Sequence, residues 1–382
     1  MNDSQKARDY ANQQQFRADI QQITQNFNYT IQGEEATAYL VRLFVDNFPK
    51  LHADAMRVAN TCAEEMALAV LAEICNVDPG QISNLRKPSA QSALLTAQES
   101  YARTGDPDTG EADVALGRLL AKLVAQAVVE PTRSVKEIVL QRAIRTAPHL
   151  TNRQINSLSV LAILASFTFN GANPHEVISN LDNFYSSYYD GIVTRDLEYS
   201  YMESTGAGSV EVSLPAGIYP RIRDRHRPAM RKSFHMNEVP SRVTPEHRTE
   251  YIEPDPLKAG LYRARAEKMN ELLNAAPNWM EMTTAVLSGG DSQIELREFI
   301  EQRMFTADEL KEQIEREAPN LFRFLELLDR TGAIYFRPSA IGLILADQEL
   351  SLRFPGSNLL GPIVSLDAAN LDEVAHPGTS ET

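Results

Sequence analysis

Thr151-Asn-Arg-Gln-Ile-Asn-Ser-Leu-Ser-Val-Leu-Ala-Ile-Leu-Ala-Ser-Phe-Thr-Phe169 decides the fold class. Thr151 followed by Gln154 is a capping-box pattern, in which each side chain closes an unpaired backbone N–H at a helix start. The apolar run that follows, Leu158–Phe169, is far short of the ~20 residues that cross a bilayer, so it predicts a buried core helix over Asn152–Phe169. Outward from it, apolar residues recur at three- and four-residue intervals from Glu34 to Leu164, the helical period. This predicts helices at about Ala36–Asn47, Leu51–Asn76, Pro88–Thr104, Ala112–Val129 and Arg133–Thr146. Pro49, Asp78-Pro79-Gly80, Gly105–Gly110 and Pro148 mark the breaks, because proline cannot continue a helix and glycine supplies left-handed geometry. No period of ~20–50 residues repeats, so close-packed helices are expected rather than a solenoid.

Beyond Phe169, Asn173-Pro174 opens a helix that ends in the aromatic-dense Phe184–Tyr189. Leu197–Met202 and Val210–Leu214, flanking Gly206-Ala207-Gly208, predict a β-hairpin. The stretch 215–257 is rich in proline and charge, poor in periodic apolar residues, and reads as an extended linker. Helices return in 258–366, with a capping box at Thr306–Glu309 and a proline start at Pro319. Leu325–Gly332, a strand at Ala333–Phe336 and a helix over Pro338–Leu350 follow the order of a winged-helix-like unit. Residues 367–382 form an acidic tail expected to be loosely ordered. Residues 1–33 form a Gln/Asn-rich strand arm in which Ile23, Phe27, Tyr29 and Ile31 alternate with polar residues. Pairing with the same segment of another chain would satisfy its backbone groups, making it a candidate assembly arm; an edge strand within its own chain is the alternative. The expected fold is mainly α: a multi-helix N-terminal domain (34–214) with a small hairpin, the linker, and a smaller helical, winged-helix-like C-terminal domain.

The 382 residues carry 37 Lys+Arg against 51 Asp+Glu, a net charge of −14. This opposes broad coating of nucleic acid or anionic membrane, while leaving room for a local basic patch. Met1–Arg17 lacks the apolar core of a secretory signal, and no stretch reads as a membrane span, so a cytoplasmic location is expected. Cys62 and Cys75 fall on one expected helix about 20 Å apart, which rules out an intrachain disulfide. The seven histidines form no His-x-x-x-His pair and the cysteines no Cys-x-x-Cys, so no metal site is signalled.

The sharpest chemical feature is Arg221-Ile222-Arg223-Asp224-Arg225-His226-Arg227, followed by Arg231 and Lys232. Framed by Pro220 and Pro228, the run reads as extended, which would project Arg221, Arg223, Arg225 and Arg227 to one side. Such a stripe suits a nucleic-acid backbone, a nucleotide or an acidic partner; pairing with the protein's own surplus carboxylates is the competing reading. Ser288-Gly-Gly-Asp-Ser292 resembles the Ser-Gly-Gly-x-Asp-Ser phosphate loop of ATP pyrophosphatases, one residue short; a turn in which Ser292 and Glu295 cap the next helix is the alternative. Arg103-Thr-Gly-Asp-Pro-Asp108 reads as a helix end with Gly105 in the left-handed position. Glu64-Glu65 lies on a helix where neighbours point apart. No nucleophile elbow, Walker loop or dinucleotide motif appears, and no cofactor is indicated.

Ala97-Gln-Glu-Ser-Tyr-Ala-Arg-Thr-Gly-Asp106, Leu150-Thr-Asn-Arg-Gln154, and Leu197-Glu-Tyr199 with Gly206-Ala-Gly208 resemble an uncharacterised family of bacterial proteins known only by locus-tag names. The resemblance spans about Thr30–Leu350 and departs at the Arg221–Lys232 run. It implies a bacterial cytoplasmic protein and transfers no catalytic residue; similar Gln/Asn strand prefixes occur on bacterial antiphage defence proteins. The leading expectation is a non-enzymatic, self-assembling homo-oligomer that recognises a protein partner, in an antiphage system. The alternatives are a nucleic-acid-binding regulator using the arginine stripe and the winged-helix-like unit, and a nucleotide-using enzyme at Ser288–Ser292.

Overall fold

The computed structural model describes residues 34–106, 111–211, 217–274 and 291–356, and is mainly helical. Helices α1 (Glu34–Val77), α2 (Pro88–Ala102), α3 (Val114–Val129), α4 (Val135–Thr146) and α5 (Asn152–Ser166) follow one another, with a 3₁₀ segment at Pro79–Arg86. Next come α6 (Pro174–Tyr185), α7 (Asp196–Ser204), strand β1 (Gly208–Val210), α8 (Ile218–Arg225) and α9 (Pro245–Tyr251). Strands β2 (Ile252–Pro254) and β3 (Tyr262–Ala264) precede α10 (Met269–Asn274) and α11 (Asp291–Gln302). The chain continues through α12 (Ala307–Glu317), α13 (Pro319–Arg330), β4 (Phe336–Pro338) and α14 (Ala340–Arg353). The described residues divide into two compact units, one within Met1–Glu65 and Tyr101–Asp113, the other within Met66–Ser100 and Val114–Thr382.

In the smaller unit the Tyr101 hydroxyl donates to Glu65 and Cys62 is buried. Gly105 is not left-handed, contrary to expectation: the position is a close approach, where a Cβ would lie 2.4 Å from Val58 Cγ1. Both cysteines stand on α1 unbonded, as expected. Pro49 does not break that helix, which runs on to Val77; one lost hydrogen bond is outweighed by the many that propagate the 44-residue element.

In the larger unit the core forms where α14 packs against α5, α4 and α3. Leu158, Ile163, Leu120, Leu123, Leu140 and Ile144 are fully buried there, along with Leu345 and Ala346 of α14. Helix α5 begins at the expected capping box: Thr151 Oγ1 accepts from Gln154 N, and Gln154 Oε1 accepts from Thr151 N. The Thr306–Glu309 box opens α12 in the same way.

Several expectations for this unit are overturned. Asp196–Ser204 is helical, burying Tyr199 and Met202 on one side, so Leu197–Met202 is not the expected hairpin strand; β1 instead pairs antiparallel with β4, Val210 opposite Phe336. The stretch from Gly217 to 257 is folded rather than a linker. Ile218, Tyr219, Ile222, Met230, Phe234 and Tyr251 are buried, and β2 pairs with β3 across the expected domain boundary at residue 258. The helix–helix–strand order of α12, α13 and β4 exists, but it does not form a separate winged unit. Its strand pairs with residues 208–210, and α14 belongs to the bundle core.

The joint between β1 and α14 depends on Gly206-Ala207-Gly208. Ser339 caps α14 by accepting from Gly342 N, donates its hydroxyl to Gly206 O, and donates its backbone N–H to Ala207 O. A Cβ on Gly342 would lie 2.0 Å from Ala207 O, and one on Gly208 would lie 2.4 Å from the Phe336 ring. Only glycine lets these backbones meet. The expected assembly residues Ile23, Phe27, Tyr29 and Ile31, residues 288–290 of the glycine loop, and the tail 367–382 lie outside the described residues.

Candidate anion-binding groove

The Arg221–Arg227 run is helical, not extended. Gly217, at φ +57°, precedes α8, and Pro220 falls in the first turn, where its missing N–H costs nothing. Ile218 and Ile222, one turn apart with Tyr219, are buried, giving the helix an apolar face that the arginine-rich spelling masks. The helical period then splits the expected stripe. Arg221 and Arg225 share one face, while Arg223 is rotated away and ion-pairs with Asp224 at 2.7 Å.

The remaining cations also separate. Arg227 approaches Asp224 at 3.7 Å. Arg231 has a side chain only 4% exposed, donates to Ala264 O at 2.5 Å, and meets Glu253, which also pairs with Arg263. Burial and Arg263 push the Arg231 guanidinium down from its ordinary value, with Glu253 opposing them. Lys232 is held by Glu309 at 2.6 Å. Arg231 and Lys232 thus pin the folded stretch after α8 to neighbouring elements.

Arg221 and Arg225 remain together, and they meet a third arginine that lies far from them in sequence. With Arg337 of β4 and Asp224 they rim a groove of about 660 Å³. Its floor is apolar: Leu161, Leu164 and Ala165 at the end of α5, then Ile334, Phe336 and Pro338 around β4, with Thr168 at the edge. Arg221 Nη1 donates to Ile334 O at 2.5 Å, and Arg225 Nη2 donates to Ala165 O. That carbonyl lies in the last turn of α5, the negative end of its dipole, where a cation is favoured. Arg221 Nη2 is buried without any hydrogen-bond partner. Arg337 is exposed and pairs with Glu211 at 3.5 Å. The i, i+4 spacing of Arg221 and Arg225 was legible; Arg337, over a hundred residues away, was not, because only the β1–β4 pairing brings it there.

Ser292 lies inside α11 rather than capping it. It is buried, its Oγ accepts from Thr244 N at 2.9 Å and meets His247 Nδ1 at 2.8 Å, while Glu295 pairs with Arg242. Among the described residues there is no group of three or more His, Cys, Asp or Glu placed to hold a metal ion, and no helix is long and apolar enough to cross a membrane.

A family model, that of an uncharacterised "-like" family named by a locus tag, matches residues 30–360. The chain belongs to this family. No curated protein and no solved structure matches the chain. Within the family match, the Gly206-Ala-Gly208 and Thr151–Gln154 segments are the structural joint and the cap described above.

Proposed function

We propose that this protein works by recognition, and that the groove between α5, α8 and β4 receives an anionic group carried on an apolar body. The supporting observation is the convergence of Arg221, Arg225 and Arg337 on one groove, with Arg221 bound to a carbonyl and to no carboxylate among the described residues. Guanidinium groups donate paired hydrogen bonds to carboxylate, phosphate or sulfate oxygens. Arg221 and Arg225 are each anchored by one carbonyl, so a guanidinium with five N–H donors keeps others for a ligand. The Leu161–Leu164–Phe336 floor suits an apolar or aromatic body beside the charge.

Phenyl sulfate, whose charge is fixed across the working pH range, is a direct probe when set against inorganic sulfate in calorimetric titrations of the full chain. Phenyl sulfate is expected to bind the more tightly, and Arg221→Gln with Arg225→Gln to weaken it by at least about tenfold. Glutamine stays polar and loses the charge, and unchanged circular dichroism of the double variant checks that the fold is spared. Equal binding by wild type and the double variant contradicts the reading.

A further inference from the structure

His226 follows Arg225 directly and is 4% exposed. Its ring bridges α8 and the segment that follows α5. Phe169 N donates to Nε2 at 3.0 Å, and Nδ1 meets Ile222 O at 2.8 Å. A backbone N–H can only donate, so Nε2 is the acceptor, Nδ1 carries the proton, and the ring is neutral. The ring also stacks on Phe169, 6.1 Å between centroids at 18°. One side chain therefore ties the C-terminal turn of α8, which carries the groove arginines, to the segment leaving α5, which carries Ala165 and Thr168.

We propose that His226 is a positioning residue that latches α8 to the end of α5, and that protonating its Nε2 releases the arginine pair from the groove. A proton on Nε2 would face the Phe169 N–H, donor against donor, and break the bridge. Among the described residues no carboxylate is hydrogen-bonded to or ion-paired with the ring; only the Ile222 carbonyl favours the added charge. Arg225, beside the ring, opposes it; Asp224 is taken by Arg223 and Arg227. Phe167-Thr168-Phe169-Asn170 has no titratable side chain. On the helices packed against α8, Lys311 and Glu326 pair with each other, and Tyr219 donates to Glu326. Beyond the 3₁₀ turn at Arg227–Ala229, Lys268 is held by Glu250 and Glu271. Burial first, then Arg225, lowers the His226 pKa below its ordinary 6.5, against the Ile222 hydrogen bond. The latch is closed at neutral pH and opens only below the ordinary histidine range.

The effect on ligand rests on the groove reading; the latch itself does not, and the test separates them. Exchange protection of the Phe169 amide, corrected for intrinsic rate, is followed in the full chain from about pH 7.5 to about pH 5. Wild type is expected to lose protection about tenfold or more, and His226→Gln, which keeps an acceptor but does not titrate, to stay level. pH-independent protection in wild type, or the same fall in His226→Gln, overturns the latch. Phenyl sulfate affinity is then compared at the two pH values. A fall in wild type that His226→Gln lacks supports release, and an unchanged affinity in wild type overturns it. Absence of binding at either pH, with the exchange result intact, contradicts the groove and not the latch.

Discussion

Gly342 stands where no side chain fits, 2.0 Å short of the Ala207 carbonyl oxygen for any added Cβ. Gly342→Ala is therefore expected to lower unfolding stability by about 2–4 kcal/mol in urea titration, since backbone must move. An unchanged midpoint would mean the joint between Gly206–Gly208 and α14 is looser than described. The cations once grouped together should also separate. Arg231→Ala, which leaves Glu253 to Arg263 alone and Ala264 O without its donor, is expected to cost about 3 kcal/mol. Arg223→Ala, which loses a surface pair with its neighbour Asp224, is expected to cost no more than about 1 kcal/mol. Similar losses for both would argue that the run acts as one stripe after all. His226 adds a sign. Its pKa is lowered by folding, so the unfolded chain binds more protons, and the contribution is present above the ordinary value of 6.5 and lost as pH falls below it. Thermal unfolding of His226→Gln is expected to flatten the acid limb of wild type below about pH 6.5. These roles were hidden in the sequence because glycine, arginine and histidine spell alike on a surface and in a core.

At the scale of elements, starts were more legible than breaks. Thr151–Gln154, Thr306–Glu309, Pro174 and Pro319 open helices where their chemistry says they should, because a cap acts within one turn and needs no distant partner. Thr151→Ala is expected to cost about 1 kcal/mol, read as a lower thermal midpoint. Elsewhere long-range packing overrode local pattern. Leu197–Met202 looks β-favouring but is helical, since Tyr199 and Met202, three residues apart, both reach the core. Pro220 and its charges make the α8 segment look extended, although Ile218 and Ile222 carry the helical signal. The winged-helix order was visible, but the strand's partner, β1, lies more than a hundred residues earlier, and no local rule identifies it.

For the molecule as a whole, a net charge of −14 means that most cations have nearby acids to meet, and the ion pairs of Arg223, Arg231 and Lys232 follow that rule. Arg221 departs from it, bound to a carbonyl and to no carboxylate among the described residues. Mainly helical class and the position of the core were readable from periodicity; the groove was half readable, through Arg221 and Arg225. Self-association is a separate proposal, carried by the period-two alternation of Ile23, Phe27, Tyr29 and Ile31. Removing the residues ahead of Gly33 is expected to reduce the light-scattering mass while leaving the helical circular dichroism intact; an unchanged mass would dismiss it. The central claim is the anion site, and a crystal soaked in tungstate, a heavy tetrahedral oxyanion, tests it most directly. An anomalous peak bounded by Arg221, Arg225 and Arg337 is the expected result, and tungstate bound elsewhere with that groove empty would contradict the account.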